Sequence, residues 1–219
     1  MKFDILFVIS LSIWIPIIIG VIRFKTIKKS LLPFFWTLVA GLLQEVASFI
    51  IISKQEFSSN AIPSNIFIII EWVLLAYQFH IWGFLKNRKK LFYLLLGATS
   101  LIWVIENLVF GKIVVFSPYF RILYSFMLTL LSITEINYKI THDNKNLFRN
   151  PRFLICIGFI LFFVYQILYE WSYQVSLVHE PGQFTTTIIS LFTYMDALTN
   201  IIFGIAFLVA PRDQKFNLE

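Results

Sequence analysis

The stretch "NIFIIIEWVLLAYQF", residues 65–79, decides how this chain is read. With its flanks it reaches the roughly 20 apolar residues that a helix needs to cross a bilayer. Yet it carries a carboxylate, Glu71. An acid at mid-membrane costs about 2.5–3.5 kcal/mol on insertion scales, so it has to face protein or water rather than lipid. The segment therefore predicts a spanning helix with one polar face.

Working outward, the same pattern repeats. Apolar segments are expected at about 4–22, 31–52, 63–85, 91–110, 117–138, 152–174 and 184–210. The predicted fold is all-α, a polytopic integral membrane protein of seven transmembrane helices forming one domain over 1–219, with no soluble domain. Composition agrees. Of 219 residues 58% are hydrophobic and 14% charged, whereas a soluble domain carries about a quarter charged residues. Mean hydropathy is +0.80.

Prolines punctuate the segment starts at Pro33, Pro63, Pro118 and Pro151, where a missing N–H is no loss. Pro16 falls inside the first segment and predicts a kink. The N-terminal segment ends in basic residues and not in a small-residue cleavage site, so it reads as an anchor, not a signal peptide.

The net charge of +6 does not point to nucleic acid, because its distribution is that of a membrane protein. Arg23, Lys25, Lys28 and Lys29 follow the first segment, and Lys86, Arg88, Lys89 and Lys90 follow the third. Lys139, Lys145, Arg149 and Arg152 separate the fifth from the sixth, and Arg212 and Lys215 follow the seventh. Intervening loops hold almost none. The positive-inside rule then predicts an outside N-terminus and an inside C-terminus, in a cytoplasmic (inner) membrane whose lipids are the first partner.

Helical spacing gathers the polar residues into stripes. Ser64, Glu71 and Gln78 lie seven apart. Thr37, Gly41, Gln44, Glu45 and Ser48 share a face, as do Arg121, Ser125, Thr129, Ser132 and Glu135. The seventh segment repeats Thr186, Ser190, Thr193, Ala197, Asn200 and Gly204, with Asp196 on the flank. Gln166 and Glu170 mark the sixth, and Ser100, Trp103, Glu106 and Asn107 the fourth. These are expected interior faces. At about 1.5 Å per residue, Glu45 and Glu71 sit at matching depth, about 10–12 Å below the outer ends of their helices. Arg121 is expected to fork onto one or two carboxylates, and Glu45 and Glu71 to meet and share a proton. The aromatic residues, 18% of the chain, are expected mostly at the lipid face and interfacial belts.

Familiar chemistries are missing. No lysine falls within a segment, which excludes a retinal Schiff base. His80, His142 and His179 are scattered without metal-ligand spacing, and His80 reads as an interface residue. No G-x-S-x-G or phosphate-binding glycine loop occurs. Cys156 reads as a small buried hydrophobe. No cofactor or metal is expected, and no catalytic residue is assigned.

The candidate ligand- or proton-binding residues are Gln44, Glu45, Glu71, Gln78, Glu106, Asn107, Arg121, Glu170, Asp196 and Asn200. They predict an outward-facing acidic cavity that takes a small cationic or polar ligand. The first reading is a non-enzymatic receptor or sensor-like protein acting through a cytoplasmic or membrane partner. A small proton- or cation-coupled transporter is the alternative, and an intramembrane lipid-modifying enzyme ranks last.

Overall fold

The computed structural model describes residues 9, 11–25, 27, 29–53, 60–142, 147–178 and 182–210, and among these every regular element is helical. A 3-10 turn at Leu11–Ile13 leads into α1 (Trp14–Ile22). There follow α2 (Leu32–Ser53), α3 (Ala61–Trp82), α4 (Lys89–Val104), α5 (Pro118–His142), α6 (Pro151–Val178) and α7 (Gln183–Val209). From α2 to α7 the helices are long and apolar enough to cross a membrane, and α1 is a shorter apolar helix. The molecule is a bundle suited to a bilayer. Residues 4–8 and 10 of the first expected segment, with Lys28, Lys145, His179, Arg212 and Lys215, lie outside the described residues.

Pro118 and Pro151 open their helices, while Pro33 and Pro63 fall in a first turn. Pro16 does so too. It follows the 3-10 turn and sits in the first turn of α1, so its missing N–H falls where the chain passes from 3-10 to α pitch rather than in mid-helix. The C-terminus of α3 is closed by Gly83, whose φ of 129° favours glycine. There the Phe84 amide reaches back to the Phe79 carbonyl at 2.9 Å.

Packing makes a ring. α1 meets α2, α2 meets α3, α3 meets α5, α5 meets α6, α6 meets α7, and α7 returns to α1. α4 stands outside it, leaning across α3 and α5, and of its own residues buries only Phe92 and Thr99. The ring is drawn tight by close approaches: Phe203 of α7 lies over Gly158 of α6, where a Cβ would run into the ring. Arg23 fastens the α1–α7 seam by donating to the carbonyls of Phe207, Leu208 and Ala210 at the end of α7.

The core departs from the expected placement of aromatics. Phe34, Phe79, Phe120, Tyr124, Phe163 and Phe207 are fully buried. Phe34 packs against Phe203 and Phe159 with ring centroids 4.8 and 5.5 Å apart. Aromatic rings also cover the lipid-accessible surface, Tyr119, Trp171 and Phe184 among them. A bundle with so many small polar residues on its stripes leaves interior volume, and phenylalanine fills it.

Candidate functional site

The ring of helices encloses a cavity of about 350 Å³. Phe34, Phe159 and Phe203 close it toward the end of the bundle that carries the basic clusters. Its lining runs to Asn60, Phe116 and Tyr173 at the opposite end. Between these limits α2 contributes Thr37, Gln44 and Glu45, α3 Ser64 and Glu71, and α5 Arg121 and Tyr124. α6 adds Gln166, Tyr169 and Glu170, and α7 Phe192, Asp196, Thr199 and Asn200.

The carboxylates there are differently held. Glu170 is 2.8 Å from the donating Nε2 of Gln166 and 3.6 Å from Nη1 of Arg121. The guanidinium also donates from Nη2 to Ser64 Oγ at 2.6 Å and to Asn65 Oδ1 at 3.3 Å, and lies 5.4 Å over the Phe116 ring. Arg121 and Glu170 are thus locked to each other and to α3. Glu71 accepts one hydrogen bond, from the Tyr124 hydroxyl at 2.9 Å. Asp196 accepts from Asn200 Nδ2 at 3.3 Å, and Asn200 also donates to Ser12 at 3.0 Å. Glu45 is half-buried, and its neighbour Gln44 donates to Ser48 at 3.0 Å.

A carboxylate has room for about four hydrogen bonds. Glu45, Glu71 and Asp196 are therefore underfilled, and among the described residues none has a lysine or arginine in ion-pair contact. Two further donors, Thr199 Oγ1 and Arg121 Nε, belong to cavity-lining residues but are buried away from the open volume, with no partner among the described residues. Such orphans cost about 1–3 kcal/mol each.

Of the sequence candidates, the cavity gathers Gln44, Glu45, Glu71, Arg121, Glu170, Asp196 and Asn200. The expected grouping changes inside it. Arg121 makes its ion pair with Glu170 and reaches Glu71 only through its field, and Asp196 lies within electrostatic reach of both Glu45 and Glu71. The acidic centre is a trio.

Three candidates lie elsewhere. Gln78 is a clamp on α2: its Oε1 accepts from the Phe34 amide at 2.9 Å and its Nε2 donates to the Ser30 carbonyl. The Glu106 carboxylate accepts the amides of Tyr119 and Phe120 at 3.2 and 2.8 Å, capping α5. Asn107 Oδ1 accepts from Ser117 Oγ at 2.6 Å, while its Nδ2 donates to the Trp103 carbonyl. Both belong to a π turn, Ile105–Val109, that ends α4 and buries the two adjacent polar residues together. A regular 3.6-residue stripe does not foresee this.

The stripe expected on α7 also shifts. Thr186 and Ser190 are exposed, with hydroxyls turned back to the carbonyls of Gln183 and Thr186, whereas Thr185, Thr199 and Asn200 are buried. Gly204 faces α1, where a Cβ would meet Ile15 and Ile19. Outside the cavity, Glu135 is 3.8 Å from Arg152, and His80 bonds the Phe84 carbonyl while stacking on Phe92.

Sequence reasoning missed Tyr124, Tyr169, Tyr173 and Thr199. An aromatic ring on a polar stripe was the available signal for Tyr124, one residue before Ser125. The same signal marked Tyr169 and Tyr173, three and seven residues after Gln166, and Thr199 lies one helical turn after Asp196. Comparison with protein-family models, curated proteins and solved structures finds no match, so function is argued from the site's own chemistry.

Proposed function

We propose that this protein is a ligand-binding, receptor-like membrane protein whose ligand occupies the central cavity and which reports through a separate partner. One observation carries the reading: a chamber of about 350 Å³ in the middle of the helix ring whose walls hold three underfilled carboxylates from three helices. Ligand pockets run to about 300–1,000 Å³ and combine mostly apolar walls with a few convergent polar groups. A merely structural interior would close that volume with side chains, as the phenylalanine floor does below it.

The ring offers a way to transmit occupancy. α7 contacts the cavity through Asp196, Thr199 and Asn200, and its far end is tied to α1 by Arg23. Displacement of α7 by a ligand is then felt at the basic end, where the cytoplasmic partner is proposed to dock. Carboxylates lacking a cationic partner support a second reading, a small proton- or cation-coupled carrier working through the same chamber.

Orientation belongs to this proposal: N-terminus outside and basic end inside, in a cytoplasmic membrane, with the chamber reached from the outer side. A cysteine at Ser59 should react with an impermeant thiol reagent on whole cells and one at Asn87 should not. The reverse pattern would invert the assignment. Occupancy is tested by native mass spectrometry of protein purified from its own membranes. A bound small molecule is expected on wild type and is expected to be lost in Gln44→Trp, which fills the chamber from a half-buried position. Retention of the same mass by a folded Gln44→Trp protein would place its site elsewhere.

A further inference from the structure

We infer that the ligand of this chamber is a small organic ammonium ion with an apolar body, its head among Glu45, Glu71 and Asp196 and its body along the aromatic wall of α6 and α7. The inference rests on the chamber being a ligand site and adds the chemical class. Charge comes first. Arg121 is held by Glu170, Ser64 and Asn65, and its field reaches Glu71. Among the described residues it is in ion-pair contact with none of Glu45, Glu71 and Asp196, so three carboxylates from three helices around one space have no cation beside them. An anion is repelled there, and beside a neutral ligand the acids can be neutralised only by taking up protons.

The walls come second. Phe116, Tyr173, Tyr169, Phe192 and Phe162 form a continuous run beside the acids, with successive ring centroids 5.9, 6.4, 4.6 and 5.8 Å apart. Aromatic faces attract ammonium groups through their quadrupole and offer apolar contact to the rest of the molecule. A bare metal ion would use neither that wall nor so much volume, and a hard cation prefers six or more oxygens. Glu71 is the third element. It lines the cavity, is 8% exposed as a residue, and has its Oε2 taken by the Tyr124 hydroxyl, while Oε1 has no hydrogen-bond partner among the described residues and so remains for a ligand donor.

The test uses the full chain purified in detergent and three probes, phenethylammonium, tyramine and benzyltrimethylammonium, against the neutral phenethyl alcohol. Binding is read by calorimetry and by the shift in unfolding temperature. At least one ammonium probe is expected to bind saturably and at least tenfold more tightly than the alcohol. Glu71→Gln and Asp196→Asn, which preserve shape, are each expected to lower ammonium affinity tenfold or more while leaving alcohol binding within a factor of two.

If the alcohol binds as tightly as every ammonium probe, the ammonium class is overturned and the ligand chamber stands. If sodium or calcium alone raises the unfolding temperature and no ammonium probe does, the site is one for inorganic cations and the inference fails. If no probe binds and native mass spectrometry finds no ligand, both the class and the chamber reading fall.

Discussion

Two sets of buried polar groups lie within this bundle, and they are built on opposite plans. Around the end of α4, Glu106, Asn107, Asn65 and Ser117 are matched nearly atom for atom. Asn65 donates to the carbonyls of Ile113 and Val115 and accepts from the Ser117 amide and from Arg121, and its own carbonyl takes the Trp103 indole. In the central chamber, Glu45, Glu71 and Asp196 keep free capacity beside open space. A buried acid is therefore not informative by itself. What separates a strut from a site is how many of its hydrogen bonds the protein supplies.

That contrast can be broken most sharply at Glu106. Replacing it with leucine strands two amides at the start of α5 and should cost about 3 kcal/mol, seen as a lower unfolding temperature in detergent. A Glu106→Leu protein as stable as wild type would remove the distinction. Gln78→Leu comes next: it frees the Phe34 amide and the Ser30 carbonyl at the start of α2, for a loss of about 2 kcal/mol in the same assay. The smallest effect is expected in the chamber. Glu71→Gln can still accept from Tyr124, so stability should move by less than about 1 kcal/mol. A loss as large as that of Glu106→Leu would mean that Glu71 is also a strut, with polar packing as its whole role.

Much of the fold was legible because the bilayer imposes long apolar helices and a price on every polar atom inside them. Glu71 at position seven of its stripe could only point inward, and it does. The stripes of α2, α3 and α5 were readable for the same reason. The α7 stripe misled at Thr186 and Ser190, since a hydroxyl can satisfy itself on its own helix and so carries little information about which side is buried. Glu106 and Asn107 were readable as buried, yet not as a cap, because the π turn that places them is a local change of pitch. Gln78 shared a stripe with Glu71 and still serves a different purpose, two turns lower against another helix's start.

From the sequence alone came the helices, their approximate limits, the polar faces and the expectation of an acidic interior, all consequences of hydrophobic length and helical period. Tertiary structure decided who meets whom. Helix order around the ring is set by side-chain packing, such as Phe203 on Gly158, which no periodicity encodes. That order pairs Arg121 with Glu170, brings Asp196 within electrostatic reach of Glu45 and Glu71, and leaves α4 outside the ring. The chamber exists because six helices close around a space their side chains do not fill, and volume left between helices is a property of the assembled bundle, not of any one segment.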